Sequence, residues 1–349
     1  MKFRFVSTVP DLLFRVDGVI VLTVDGPHDI QLHFRPPTAV EITRGCKELK
    51  TFCIASGSWN LSEKIQGIFA SLEQRMMSPG WLREEGWESQ VEDDGRFKEN
   101  ISPRGELFPP AFQDFARSVY DELLESCERA VAVMRWRYAA TGSHRKVAQV
   151  EFEWSEDGGI WKQMPYTGQW YAEVSQGVYP DARTADTIDL MLRQQRREPV
   201  GHELFREAWS NRFSNPRSSL LIGVAAAEVG FKECVAELIP GAAWLVEYAP
   251  SPPLVIMLTD YLPKLPTKCI IDGKVVPPPK AVIDTLKKGV QLRNKVTHTG
   301  ADPPRCDTLV EVLLAVRDVL WLLDYYRGNE WALEHVQSET RLGMGVSST

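Results

Sequence analysis

The stretch LRNKVTHTG, residues 292 to 300, gathers Arg293, Asn294 and His298 just ahead of a glycine. On a helix of 3.6 residues per turn, Asn294 and His298 are four apart and share a face. Arg293 lies one position around the cylinder, on a side chain long enough to fold back. The spacing predicts that the three converge on one small site. A phosphodiester suits such a site, because histidine takes or returns a proton near neutral pH and arginine binds two phosphate oxygens and stabilises charge gathering on them. RNA carries its own nucleophile, the 2′-hydroxyl, so a base and an oxyanion stabiliser could cleave it without a metal.

The surrounding charge agrees. Residues 280 to 298 hold Lys280, Lys287, Lys288, Arg293 and Lys295 against Asp284 alone, five cations to one anion and a net +4. The chain as a whole carries a formal charge of −7, which excludes coating of nucleic acid through overall charge. Any RNA contact must therefore be local. Lys287, Lys288 and Lys295 are the residues expected to hold the RNA backbone.

A second acidic position bears on the same site. Val224, Phe231 and Val235 define an apolar helical stripe, and Glu228 falls within it, where a carboxylate is costly to bury unless paired. Its expected partner is Arg293 or His298 on a packed neighbour helix. The alternative is Lys232, one turn along.

These residues need a helical scaffold, and the chain provides one in its second half. From about residue 184, TADTIDLMLRQQRR, GHELFREAWSNRF and the segment from Pro216 to Leu238 each have helical periodicity, and Asn215-Pro216 marks a helix start. Proline-rich breaks at 249 to 253 and 276 to 279 precede two last helices, expected at 279 to 298 and 306 to 327. Residues 338 to 349 read as a frayed tail.

The first half has a different texture. GVIVLTVDGPHDIQLHF reads as two strands joined through Asp25, Gly26 and Pro27. KVAQVEFEW and IWKQM flank an Asp157-Gly158 turn and read as a hairpin. Phe112, Phe115, Val119, Leu123, Cys127, Ala130 and Met134 recur at three- and four-residue steps, predicting a long amphipathic helix over 111 to 138 packed on the early strands. Residues 81 to 110, charged and broken by Gly and Pro, read as an exposed excursion. The expected architecture is an α+β domain over 1 to 183, an all-α domain over 184 to 337 and a flexible tail. A length of 349 residues with 44% hydrophobic and 25% charged composition supports two folded domains.

The quoted stretch resembles the RN-x-x-x-H signature, a form of the Arg-x4-6-His motif, of the HEPN domains, and Gly300 follows the histidine as it commonly does there. The resemblance covers roughly residues 200 to 335 and leaves residues 1 to 183 outside it. PRSSLLIGVAAAEVGFKECVAEL looks like the long first core helix of such bundles, and DTLVEVLLAVRDVLWLLDYY like the helix after the motif. The resemblance implies an all-α bundle, metal-independent endoribonuclease activity in a toxin or antiviral defence setting, and homodimers with two motifs face to face. It assigns His298 to acid-base chemistry, Arg293 to the phosphate and transition state, and Asn294 to orientation. Other members of the family only bind nucleotides, RNA or proteins, so a non-catalytic binding module is the alternative. An antitoxin or other defence protein is a possible partner.

Further motifs are few. His28, His33, His144, His202 and His335 lack ligand spacing, and the acids Glu92, Asp93 and Asp94 read as solvated, so no metal or other cofactor is expected. The sequence has no P-loop, Gly-x-Gly-x-x-Gly or Gly-x-Ser-x-Gly pattern. Trp154, Trp161, Tyr166, Trp170 and Tyr171 could stack on bases if exposed, though core packing is the commoner use of such a set. The six cysteines form no CxxC pair, and with neither a signal peptide nor a membrane span in view the expected setting is the reducing cytosol.

Overall fold

Alternating apolar and polar residues make the first half a sheet, since successive strand side chains point to opposite faces. Lys2–Val9 (β1) buries Phe3 and Phe5 completely. Ile20–Val24 (β2), Ile30–Arg35 (β3), Thr51–Ser58 (β4), Ala148–Ser155 (β5) and Lys162–Gln163 (β6) join it in one six-stranded sheet of order β2-β3-β4-β1-β5-β6. Every pairing is antiparallel, and β1 lies between β4 and β5. This computed structural model describes residues 1–9, 12, 18–39, 42, 51–77, 91–98, 105–140, 147–166, 184–248 and 253–346. The chain divides into two units, Met1–Met134 with Arg145–Arg197, and Arg135–His144 with Glu198–Thr349.

In the first unit, two helices cover the Phe3 and Phe5 face: Glu63–Glu73 (α1) and Pro110–Arg137 (α2). Phe3 meets Phe69 of α1 and Phe115 of α2 edge-on, both at 5.6 Å, and Phe5 meets Tyr120 at 5.4 Å. The predicted stripe of α2 is the buried one, with Phe115 half-buried and Phe112, Val119, Leu123, Cys127, Ala130 and Met134 inside. The β5–β6 turn is tied by its own polar groups: Ser155 Oγ accepts from Gly158 N at 2.9 Å and Asp157 Oδ1 from Gly159 N at 2.7 Å. Gly158 has φ +96°, a conformation that glycine takes without strain.

The aromatic set falls into the core and its margin. Trp154 is buried against Phe69, Tyr166 packs on Tyr120, and Trp161 lies under the Arg4 guanidinium at 4.4 Å. Trp170 and Tyr171 lie outside the described residues, as do 81–90 and 99–104 of the expected excursion. Of its described residues, Gly105–Leu107 form a 3-10 turn ahead of the helix that starts at Pro110, and 91–98 make bridges from Val91 to Phe97 and from Met76 to Arg96. Glu92, Asp93 and Asp94 are exposed there, and Asp94 pairs with Arg96 at 2.5 Å.

The helix Ala185–Arg193 (α3) departs from the expected boundary at 184, because it belongs to the sheet unit. Ile188, Met191 and Leu192 are buried, Asp189 Oδ1 accepts from Thr23 N of β2 at 2.9 Å, and Arg129 of α2 donates to the Leu192 carbonyl at 2.7 Å. Periodicity reveals that a helix has an apolar face, but not which neighbour that face will choose.

The second unit is helical: Val200–Asn211 (α4), Pro216–Leu238 (α5), Ala243–Tyr248 (α6), Lys280–Thr299 (α7), Cys306–Tyr326 (α8) and Ser338–Gly343 (α9). Asn215 caps α5 by accepting from Ser218 N at 3.2 Å, with Pro216 in the first turn. Small residues allow close packing. A Cβ on Gly201 of α4 would stand 2.9 Å from Gly230 Cα of α5, and one on Gly289 of α7 would stand 2.6 Å from Val312 Cγ1 of α8.

For residues 338–346 the structure differs from the expected frayed tail. Buried Asp318 of α8 accepts from Gln337 N at 3.2 Å, Gln337 Nε2 at 2.9 Å and Thr340 Oγ1 at 2.5 Å, so α9 is fastened to the bundle. A buried carboxylate needs such donors. No described helix is long and apolar enough to cross a membrane.

Candidate active site

Helix α7 starts directly after three prolines, whose fixed φ favours a helix start. Its buried residues are Val282, Ile283, Leu286, Gly289 and Val296. Arg293, four after Gly289 and three before Val296, falls in the same stripe, so its stem is drawn toward the bundle. The helix ends at Gly300 in the left-handed conformation, φ +65°, a helix stop that glycine supplies cheaply.

The inward-facing arginine meets an inward-facing acid. Arg293 Nη2 donates to Glu228 Oε1 of α5 at 2.8 Å, with the side chains 22% and 10% exposed. Glu228 therefore pairs with Arg293 and not with His298. The two helices run antiparallel here, since Arg217 near the start of α5 reaches the Ala301 carbonyl just past the end of α7, at 3.4 Å. Glu228 engages Nη2 alone among the described residues, which leaves Nη1 for another acceptor. Removing Glu228 would strip a half-buried cation of its counter-charge, a loss of about 1–3 kcal/mol for a charge-assisted bond.

Asn294 and His298 are arranged differently. Both are exposed and have no hydrogen-bond partner among the described residues. At 100° per residue His298 stands roughly 140° around the helix from Arg293, and Asn294 roughly 40° from His298. The structure thus brings Arg293 to Glu228 and sets Asn294 with His298 on an outer face, and it does not close all three into one hydrogen-bonded cluster within a single chain. Lys287, Lys288 and Lys295 are exposed as well, Lys288 lying 3.6 Å from Glu311 of α8. The arrangement sets an ion-paired arginine, an exposed imidazole, an exposed amide and three exposed lysines along one helix.

A second polar centre in the same unit escaped the sequence reading. Asp324 of α8, 1% exposed, accepts from Trp136 Nε1 at 2.6 Å, His202 Nε2 at 2.8 Å and Arg327 Nη1 at 3.2 Å. Arg327 in turn pairs with Glu237 at 2.6 Å. The signal that could have revealed it is the one that singled out Glu228: Asp318 and Asp324 interrupt the apolar run of α8, and buried acids demand partners. His202, expected to be a surface or satisfied core residue, is the satisfied kind. Among the described residues, no three His, Cys, Asp or Glu side chains gather as metal ligands would.

Comparisons with protein-family models, with curated proteins and with solved structures each find no match to this chain.

Proposed function

We propose that the helical unit is a HEPN-type, metal-independent endoribonuclease acting through Arg293, Asn294 and His298. The observation that carries this reading is the Glu228–Arg293 pair beside two unpartnered polar residues at the end of α7. A buried carboxylate fixes the arginine's position, while the groups suited to bind and to exchange protons remain free. In the reaction, His298 removes the proton from an RNA 2′-hydroxyl and the oxygen attacks the adjacent phosphorus. The bond from phosphorus to the 5′-oxygen breaks, a proton returns to that oxygen, and a 2′,3′-cyclic phosphate remains. Arg293 Nη1 holds the non-bridging oxygens as charge develops on them. Asn294 orients the phosphate, and Lys287, Lys288 and Lys295 hold the flanking backbone.

The angle between Arg293 and His298 favours a homodimer, in which two copies of α7 supply complementary faces of one groove. The sheet unit then serves to sense a trigger, choose a substrate or restrain cleavage, in a toxin or antiviral defence setting where an antitoxin or other defence protein could be a partner. The free thiols of Cys53, Cys127, Cys234, Cys269 and Cys306 suit a cytoplasmic location.

The test is incubation of purified wild type and His298→Ala with labelled total RNA in EDTA, with the fragment ends analysed. Cleavage by wild type alone, leaving cyclic phosphates, is the expected result. Activity that disappears in EDTA yet survives His298→Ala would overturn the mechanism.

The exposed lysines favour a second reading, a non-catalytic module that holds RNA, a nucleotide or an acidic partner protein. It expects capture without turnover, abolished by charge reversal at Lys287 and Lys288 and indifferent to His298→Ala.

A further inference from the structure

A cavity of about 220 Å³ lies within the helical unit, on different side chains from the Arg293 site. Four segments build it, one of them the turn Glu330–His335 that brings in His335. Helix α8 contributes Arg317 and Trp321, one turn apart on one face, and α4 contributes His202, Phe205 and Arg206. The last residues of α2, Arg135 and Trp136, supply a further wall.

The walls are aromatic, and one indole is left unsatisfied. Trp136 and Trp321 are 1% and 3% exposed. Trp136 Nε1 donates to Asp324, whereas Trp321 Nε1 is buried with no acceptor among the described residues. The rings of His202 and His335 press on Trp321 at 4.2 and 4.7 Å, fixing its orientation. An N–H donor held rigid, buried and unpaired carries a free-energy cost that a ligand acceptor would relieve.

The charge of the lining is lopsided. Three arginines, Arg135, Arg206 and Arg317, face a single acid, Glu198, among the described lining residues. That acid is committed, since Arg206 holds both of its oxygens in a fork with one contact at 2.5 Å. Among the described residues, the acid paired with Arg317 is Asp318, at 3.9 Å, and Asp318 already serves Gln337 and Thr340. The Arg317 Nε is itself buried without a hydrogen-bond acceptor among the described residues.

From this combination we infer that the helical unit carries a separate binding site for a small aromatic anion. The flat walls take a ring, Arg317 takes the acid group, and the Trp321 N–H takes a ring or acid acceptor. The volume falls below the roughly 300–1,000 Å³ of sites for drug-sized ligands, which limits the ligand to one or two fused rings with one acidic group. Carboxylate and phosphate share the chemistry that Arg317 recognises.

Isothermal titration of the full chain with 1-naphthoate, 1-naphthyl phosphate and the neutral 1-naphthol tests this directly. At least one anion should bind saturably, about tenfold or more tighter than 1-naphthol, and the tighter of the two identifies the acid group. Arg317→Gln should weaken that anion about tenfold while leaving 1-naphthol binding and the melting temperature unchanged. Absence of anion binding at millimolar concentration, equal affinity for 1-naphthol, or wild-type affinity in the folded variant would each overturn the assignment. The three-probe comparison on wild type decides the matter even if the variant does not fold.

Discussion

Two arginine–carboxylate pairs, one in each unit, look alike in isolation. Arg4 of β1 and Glu153 of β5 meet at 2.5 Å with side chains 27% and 12% exposed, and Arg293 and Glu228 meet at 2.8 Å with 22% and 10%. The sheet pair is built into the strand pairing. Its residues lie directly opposite each other in the β1–β5 register, and Arg4 stacks over Trp161. The helical pair lies on the same helix as Asn294 and His298, which have no hydrogen-bond partner among the described residues. An ion pair of given distance and burial is therefore weak evidence of function by itself, and the unpartnered polar groups next to it are what distinguish the two sites.

The largest effect that could separate them is at His298. His298→Ala should lower RNA cleavage by about 10²- to 10⁴-fold, the usual worth of a general acid-base group, with little change in melting temperature because the side chain is exposed. Comparable cleavage by the variant would leave the Arg293 region no more functional than the sheet pair. Glu228→Gln should come next, losing roughly 10- to 100-fold in activity through misplacement of Arg293. Glu153→Gln should cost a comparable about 1–3 kcal/mol of stability with cleavage intact. Equal activity in the two glutamine variants would make Glu228 a structural acid only.

Smaller, and purely structural, is a pair of glycine substitutions. Gly67 of α1 has open space where a Cβ would go, so Gly67→Ala should stabilise by about 0.5–1 kcal/mol through helix propensity. Gly289→Ala drives a Cβ to 2.6 Å from Val312 Cγ1, and should destabilise by about 1–3 kcal/mol through overpacking. Denaturant titration of both variants checks the contrast. Stabilisation by Gly289→Ala would mean that α7 is free to move off α8, and that the position of Arg293 is not set by helix packing.

These contrasts also explain what could be read from the sequence. Strands β2, β3 and β5, helix α2, and the starts and ends of α5, α7 and α8 were legible because they depend on local signals: alternation, a 3.6-residue period, Asn-Pro, a proline run and a terminal glycine. The Glu228–Arg293 pair was legible because an acid within an apolar stripe must find a cation. The allegiance of α3 to the sheet was not, since an apolar face says nothing of its partner. The orientation of Arg293 was misjudged for a related reason. Helical spacing put it one step from Asn294, but the stripe through Gly289 and Val296 pulled it inward, away from His298. The Asp324 centre and the cavity at Trp321 draw on residues from 135 to 335, and no local pattern joins them.

Protonation separates the two units more finely. His335 of the helical unit is held below its ordinary value near 6.5, chiefly by burial, while its Nε2 donates to the Arg137 carbonyl at 2.9 Å. Among the described residues of the sheet unit, Asp94 is held low by its Arg96 hydrogen bond and Asp157 by the Gly159 N–H. Glu237 of the helical unit is opposed by its own burial but drawn low by Arg327 and Lys268. For a histidine depressed in the folded state, the unfolded chain takes up the proton first. Its stabilising contribution is therefore complete above about 6.5 and is lost as pH falls from there toward the lower folded value. Carboxyls held low act in the same direction, but only below about 4.5. Between pH 7 and 5, then, the helical unit should weaken by a few degrees in melting temperature, with His335 as the cause. His335→Gln, whose amide can still donate to the Arg137 carbonyl, should flatten that slope when melting is followed by far-ultraviolet circular dichroism. An unchanged slope in the variant would transfer the effect to another group and leave the two units indistinguishable by pH in this range.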